Sequence, residues 1–428
     1  MKKALIICYY WPPAGGPGVQ RWLKFATYLK SFDVEPIMYV PSNPEYPIVD
    51  EVILNEVPSD IKVLKRPINE PYRFAKMFSK KKTKTMSSGI ISEKKISFVE
   101  KLLLYVRGNF FIPDARVGWV NPSVDYLEKY ISENKIDVAI TSGPPHSLHL
   151  IGLKLKESIG VKWITDFRDP WTTIHYHKSL RLSESSAKKH KSLESKILNS
   201  ADQIIVTSPS TKEEFKAITQ KPITVITNGY ELHDLKPVMD TSFTLAHIGS
   251  LLSERNPLLL WDVLAEIAAE DELFREDLKI VLTGVVSEEV KSSISQVGLS
   301  KNCILTGYVS HKKALQLQCN AQVLLLLEIN SEATKAIIPG KLFEYMLAKR
   351  PIIAIGPKGS DMFGILKETK SGASFTSEDK MALKKQITIY YKQYQKGELT
   401  VISEGIEKYS RKNLTGNLAT LIKKTIAS

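Results

Sequence analysis

Cysteine is scarce: 3 in 428 residues, at Cys8, Cys303 and Cys319. The number is odd, the spacing wide, and no Cys-x-x-Cys pair occurs. A disulfide framework and a thiolate zinc site are therefore not expected; reduced, buried thiols of a cytoplasmic protein are. There is no His-Glu-x-x-His sequence and no close His/Cys cluster, so no metal is expected. No apolar run reaches the roughly 18 residues that span a bilayer. The start, MKKALIICYYWPP, has a short apolar run, no small-residue cleavage site and a glycine-rich turn after it. Residues 4–10 therefore read as a buried first strand rather than a leader. Acidic residues are the minority, 46 against 59 Lys and Arg, for a net charge of +13. That excess favours an acidic partner: nucleic acid, an anionic membrane surface or a phosphorylated substrate. Without an RRM, KH or zinc-finger pattern or regular aromatic interleaving, nucleic acid is not the expected one.

What is present is ordinary globular composition, 43% hydrophobic and 25% charged, in a chain too long for one core. Short apolar runs alternate with helical patterns. In the first half, strands are expected at 4–10, 35–40, 138–141, 163–166 and 203–207. Helices are expected at 19–30, 124–132, 147–158, 193–200 and 212–218. The series restarts after a polar junction near 233–242. Strands at 244–248, 279–283, 303–305, 323–327 and 352–355 then alternate with helices at 257–270, 287–297 and 312–319. Such alternation predicts an α/β protein of βαβ units: two Rossmann-like, doubly wound parallel-sheet domains facing a cleft. The expected boundaries are 1–235 and 240–405, with a helical tail over 406–428 packing back on the first domain. The excess positive charge gathers in Lys80, Lys81, Lys82 and Lys84, then Lys94 and Lys95. The apolar stretch 98–106, from Phe98 to Val106, follows. That pairing suits a peripheral contact with an anionic membrane, or a solvated loop before a core helix.

Open α/β sheets bind ligands at the carboxyl ends of their strands, so chemistry is sought in the loops that follow. After the first strand, Gly16 and Gly18 open a helix and let backbone N–H groups approach an anion. A dinucleotide fingerprint needs a third glycine where Arg21 stands, which argues against NAD. Gly340-Lys341 is followed by Leu342, so there is no Walker sequence. His146 sits at a strand end between prolines and a serine, suited to proton transfer or a hydrogen bond to substrate, with a structural role the alternative. Asp166, Arg168 and Asp169, followed by Pro170-Trp171, form a charged cluster at the next strand end. Its carboxylates suit sugar hydroxyls, its arginine a phosphate and Trp171 a sugar face; an internal salt bridge is the alternative. Asp114, Arg116 and Trp119 form a polar-aromatic cluster expected to pack, with contact to the acceptor the alternative. In the second half, Arg255 follows the Gly249 strand and precedes a helix, placed for a diphosphate. Gly307 and Tyr308 bring backbone near the crevice, where they suit a nucleobase. Asn228-Gly229 marks the passage between halves. The segment PGKLFEYMLAKRP runs from Pro339 to Pro351. It starts a short helix whose apolar face is Leu342, Phe343, Met346 and Leu347. Lys341 and Glu344 share another face.

In their order these motifs resemble the retaining glycosyltransferase family 4 of GT-B fold. They are the Gly-Gly-Pro-Gly loop, Asn228-Gly229, Gly249 to Arg255, Thr306-Gly307-Tyr308-Val309 and Pro-Gly-Lys-Leu-Phe-Glu-Tyr-Met. The resemblance covers nearly the whole chain. It implies a UDP- or GDP-sugar donor, held mainly by the second domain, and a glycan or lipid-linked acceptor. Glu344 would take the ribose hydroxyls and Arg255 the diphosphate, with no metal or cofactor. The sequence departs from the pattern twice. The first of two glutamates expected with seven residues between them is Ala336, so Lys341 is a candidate substitute. The basic residue expected after the first glycine of the second half is Ser250. A sugar-nucleotide epimerase of the same plan and a non-catalytic subunit of a glycan-assembly complex remain alternatives.

Overall fold

The computed structural model describes residues 1–70, 98–174, 177 and 180–428. The lysine run from Lys80 to Lys84 lies outside them. The chain divides into two compact units, Met1–Asn228 with Arg411–Ser428, and Gly229–Ser410. The first boundary thus falls several residues before the expected 235.

The first unit carries a seven-stranded sheet in the order β3-β2-β1-β4-β5-β6-β7, every adjacent pair parallel. Its strands are β1 (Lys2–Ile7), β2 (Val34–Pro41), β3 (Lys62–Arg66), β4 (Val138–Gly143), β5 (Lys162–Phe167), β6 (Gln203–Val206) and β7 (Ile223–Val225). The helices are α1 (Pro17–Leu29), α2 (Phe98–Phe110), α3 (Val120–Asn134), α4 (Ser147–Ile159), α5 (Glu184–Ser200) and α6 (Pro209–Lys216). Strands covered on both faces need continuous apolar runs, and β1 and β4 have them, with Ala4 to Ile7 and Val138 to Ile140 fully buried.

The second unit carries six parallel strands in the order β10-β9-β8-β11-β12-β13. They are β8 (Phe243–Ile248), β9 (Leu278–Thr283), β10 (Cys303–Gly307), β11 (Val323–Leu327), β12 (Ile352–Ile355) and β13 (Gly372–Phe375). Helices α7 (Leu258–Glu270), α8 (Glu272–Asp277), α9 (Glu288–Gln296), α10 (His311–Asn320), α11 (Lys341–Leu347), α12 (Asp361–Thr369) and α13 (Lys380–Gln395) connect and follow them. The last helix, α14 (Arg411–Ala427), belongs to the first unit. Its Leu414, Leu418, Leu421 and Ile422 are buried in one cluster with Phe25, Ala26 and Leu29 of α1. Each such burial contributes about 1.5–3 kcal/mol.

Strand order reverses between β1 and β4 in one sheet, and between β8 and β11 in the other. At such a switch point the loops leave in opposite directions and open a crevice at the strand ends. Among the described residues no helix is long and apolar enough to cross a membrane. On α2, Leu102, Tyr105 and Phe110 are exposed.

Candidate active site

At the switch point of the second sheet, β8, β11 and the loops after them bring His247, Arg255 and Glu328 to one place, and α11 adds Lys341. His247 is the penultimate residue of β8 and fully buried. Its Nδ1 lies 3.0 Å from the Leu325 carbonyl oxygen of β11, which makes Nδ1 the protonated nitrogen. Nε2 is then an acceptor, and the Lys341 ammonium donates to it at 3.3 Å. Burial first, then the Lys341 charge, pushes the His247 pKa down to about 3, so the ring is neutral. Gly249 makes this possible. Its φ is +124°, and a Cβ there would stand 2.8 Å from Lys341 Nζ. A side chain at 249 would be strained and would also displace the lysine.

Burial lowers the Lys341 pKa to about 8, helped by the neighbouring Arg255; Glu328 and Glu344 oppose the shift. Arg255 donates from Nε to Glu328 Oε1 at 2.9 Å. That oxygen also accepts from the Ile329 backbone N–H at 2.8 Å, fixing the carboxylate at the end of β11. Glu344, one turn along α11 from Lys341, accepts from Gln318 at 3.1 Å and lies 3.2 Å from His311 Nε2. Tyr345 of the same helix is buried, and its hydroxyl accepts from the Ile248 N–H at 2.9 Å. That bond pins α11 to the end of β8. Pro339 accepts from the Leu342 N–H at 3.0 Å in the first turn. Gly307 ends β10 with φ +68°, and the Tyr308 side chain beyond it is 91% exposed.

In the first unit Arg168 crosses the switch point. Its Nε donates to the Gly143 carbonyl at 3.3 Å and its Nη2 to that of Pro144. The guanidinium rests on Gly18, where a Cβ would come 1.7 Å from Nη1. Gly16, with φ 105°, is the residue before α1. Gly18 therefore makes room for an arginine, and the cation sits at the positive end of α1.

Asp166 is fully buried. It accepts from Arg21 Nη2 and Trp22 Nε1 at 2.9 Å each and from Ser142 Oγ at 2.8 Å. Arg21 also donates to the Thr227 carbonyl at 2.7 Å, next to Asn228, the last residue of this unit's first segment. Asp169 is half-buried in the loop after β5.

His146 is buried, and neither ring nitrogen has a hydrogen-bond partner among the described residues. It stacks on Trp171 at 5.0 Å with rings 3° apart. Burial and then His149 hold its pKa well below the ordinary histidine value. The Trp171 face expected for a sugar is thus covered by a histidine, while its Nε1 donates to His190 Nδ1 at 3.1 Å. Asp114, expected to pack, accepts from the Ser147 N–H and hydroxyl at 2.8 Å each, tying down the first turn of α4.

The structure thus gathers Gly249, Arg255 and Lys341 into one cluster, with Glu344 a turn away, and Arg168, Gly18 and His146 into the loops of the other sheet. Sequence reasoning missed His247, Glu328 and Arg21. The signals were available: a histidine inside a strand, an acid ending a fully apolar strand, and an arginine in a buried helix face.

Residues 92–234 match the family model for Glycosyltransferase Family 4, and residues 242–393 match that for Glycosyl transferases group 1. No curated protein matches. Among solved structures, a glycosyltransferase from Rickettsia africae is 14% identical with TM-score 0.63, covering 99% of this chain and 98% of its own. The sucrose-phosphate synthase of Thermosynechococcus elongatus is 14% identical with TM-score 0.61, covering 100% of both. HepE of Anabaena, solved with UDP and glucose, is 14% identical with TM-score 0.57, covering 100% of this chain and 98% of its own. The class is that of the GT-B glycosyltransferases. Within it, the chain belongs with the glycosyltransferase family 4-like proteins.

Proposed function

We propose that this glycosyltransferase moves a sugar from a UDP- or GDP-sugar to a hydroxyl of a glycan or lipid-linked acceptor, with retention and without a metal. The observation that carries the reading is the pair of cations at the second switch point. Arg255 and Lys341 stand beside a single buried carboxylate, Glu328, and that carboxylate is bonded to Arg255. Two partly desolvated cations, of which Arg255 alone is paired with a carboxylate among the described residues, fit a diphosphate and stabilise it as it leaves. Glu344 is the acceptor for ribose hydroxyls, displacing Gln318 or His311, and Tyr308 is free to lie over the base. Pro339 and Gly307 shape the backbone on either side.

In the first unit, His146 and Asp169 are the groups for the acceptor, its hydroxyl meeting an unpartnered ring nitrogen of His146. Arg168, backed by Gly16 and Gly18, binds an anionic part of it. Asp166 acts through Arg21, holding the loops and the backbone before Asn228. Polysaccharide or lipid-linked glycan assembly at the cytoplasmic face of a membrane is the proposed setting.

Incubation with a panel of sugar nucleotides, with and without acceptor, tests the reading. Release or transfer of sugar from at least one donor is expected. An isomerised donor with no acceptor present would instead identify an epimerase. No turnover of any donor, with no nucleotide bound in calorimetry, overturns the proposal.

A further inference from the structure

Lys341 is a half-buried ammonium with a neutral partner. Its hydrogen-bond acceptor is His247 Nε2, at 3.3 Å. Among the described residues it forms no ion pair with a carboxylate. Glu328 is committed to Arg255, and Glu344 to His311 and Gln318. Folding ordinarily pairs a buried charge with an opposite one. A lysine kept charged only by an imidazole lone pair is weakly held and open to a stronger partner.

The imidazole itself is tightly held. Nδ1–H donates to the Leu325 carbonyl, so the ring cannot present its N–H to the lysine. The ring lies inside β8, a fully buried strand, in the middle of the sheet. Gly249, two residues on, removes the one Cβ that would compete with the ammonium for space.

We propose that His247 is a positioning residue of the donor site, whose Nε2 holds the Lys341 ammonium protonated and aimed at the place where the diphosphate binds. This deepens the donor reading above and rests on it. His247 touches no substrate; it acts through Lys341. In the unliganded protein the groups facing the ammonium are His247 from β8, Arg255 from the loop after β8, Glu328 from the end of β11 and Glu344 from α11 itself. His247 stays neutral throughout the working range, so Lys341 is the group that titrates. Its pKa of about 8 means that a fraction is neutral at mildly alkaline pH and must take up a proton when the diphosphate arrives.

Two variants separate a positioning role from a packing one. His247→Leu fills the space and removes the acceptor. His247→Gln restores an acceptor oxygen near the position of Nε2. The first readout needs no ligand: competitive acetylation of Lys341 across the pH range, quantified by mass spectrometry of the full chain. Wild type is expected to show a midpoint near 8. His247→Leu is expected to lower it by roughly one pH unit, since a hydrogen bond to a charged group is lost, and His247→Gln to bring it back. The second readout is calorimetric titration with UDP and GDP at several pH values. Affinity is expected to fall as pH rises through the Lys341 midpoint, and His247→Leu to weaken binding about tenfold at neutral pH, with partial rescue in His247→Gln. Unchanged Lys341 titration in a folded His247→Leu variant overturns the inference while leaving the donor reading intact. A shifted Lys341 midpoint with no nucleotide bound by wild type overturns the donor reading, and with it the claim that the lysine is aimed at a diphosphate.

Discussion

Replacing Asp166 with asparagine removes one charge from a fully enclosed ion pair. The Arg21 and Asp166 side chains are 2% and 0% exposed, and three donors converge on the carboxylate. Asparagine has nearly the same shape, but its Nδ2 must face one of those donors, and the Arg21 charge keeps the Thr227 carbonyl, an amide oxygen and the Phe25 ring face but no opposite charge. Breaking a buried pair from one side costs about 3–5 kcal/mol, a large share of the ~5–15 kcal/mol that holds a typical domain together. Urea unfolding followed by tryptophan fluorescence reads this unit well, because Trp11, Trp22, Trp119, Trp163 and Trp171, five of the 6 tryptophans, lie in it. The expected midpoint shift is roughly 1 M for a slope near 3 kcal/mol/M. Arg21→Met combined with Asp166→Asn should recover part of the loss, since no unpaired charge remains. A single variant with unchanged stability that had lost sugar transfer would refute the reasoning and make Asp166 a reacting carboxylate.

Four further outcomes follow from the same geometry. Gly249→Ala forces a left-handed residue against Lys341, so nucleotide affinity should fall at least tenfold in calorimetry, with a stability loss of about 1–2 kcal/mol in urea. Gly18→Ala pushes the Arg168 guanidinium off α1; acceptor KM should rise in a transfer assay while the fold stays intact, because the displaced atom ends a flexible side chain. Leu418→Ala in α14 should destabilise the first unit by about 2–5 kcal/mol in urea, although the residue lies far along the chain from that unit's sheet. Acid should weaken both units. Burial pushes the His149 and His247 pKa values down to about 3 from 6.5, so between those limits the unfolded chain binds more protons than the folded one. Stability present above pH 6.5 is then lost as pH falls, by about 2 kcal/mol per histidine at pH 5, measurable in urea at stepped pH.

The buried strands were plain in the sequence because burial on both faces writes a continuous apolar run, as in Val323 to Leu327. Three strands were missed, β3, β7 and β13, and each lies at the edge of its sheet. β3 reads Lys-Val-Leu-Lys-Arg and is largely exposed, so it carries no apolar signature. Helices α12 and α13 likewise lie outside the expected helices. The spacing of Lys341 and Glu344 was visible, but their partners were not. One reaches His247 across 94 residues and the other Gln318 across 26, contacts that only the sheet order creates. Arg21 was read only as the glycine it is not, and its pairing with Asp166 across 145 residues had no local sign. An aromatic face at a strand end suggests a sugar platform at Trp171; packing gives that face to His146.

The central claim is that Arg255 and Lys341 at the second switch point bind the diphosphate of a nucleotide donor. Calorimetric titration of the full chain with UDP and GDP, beside Arg255→Ala and Lys341→Met, tests it most directly. Wild type is expected to bind one of the two nucleotides and each variant to bind it at least tenfold more weakly, from the loss of one charge-assisted contact. Binding of equal strength in wild type and both variants, or binding of neither nucleotide by wild type, would contradict it.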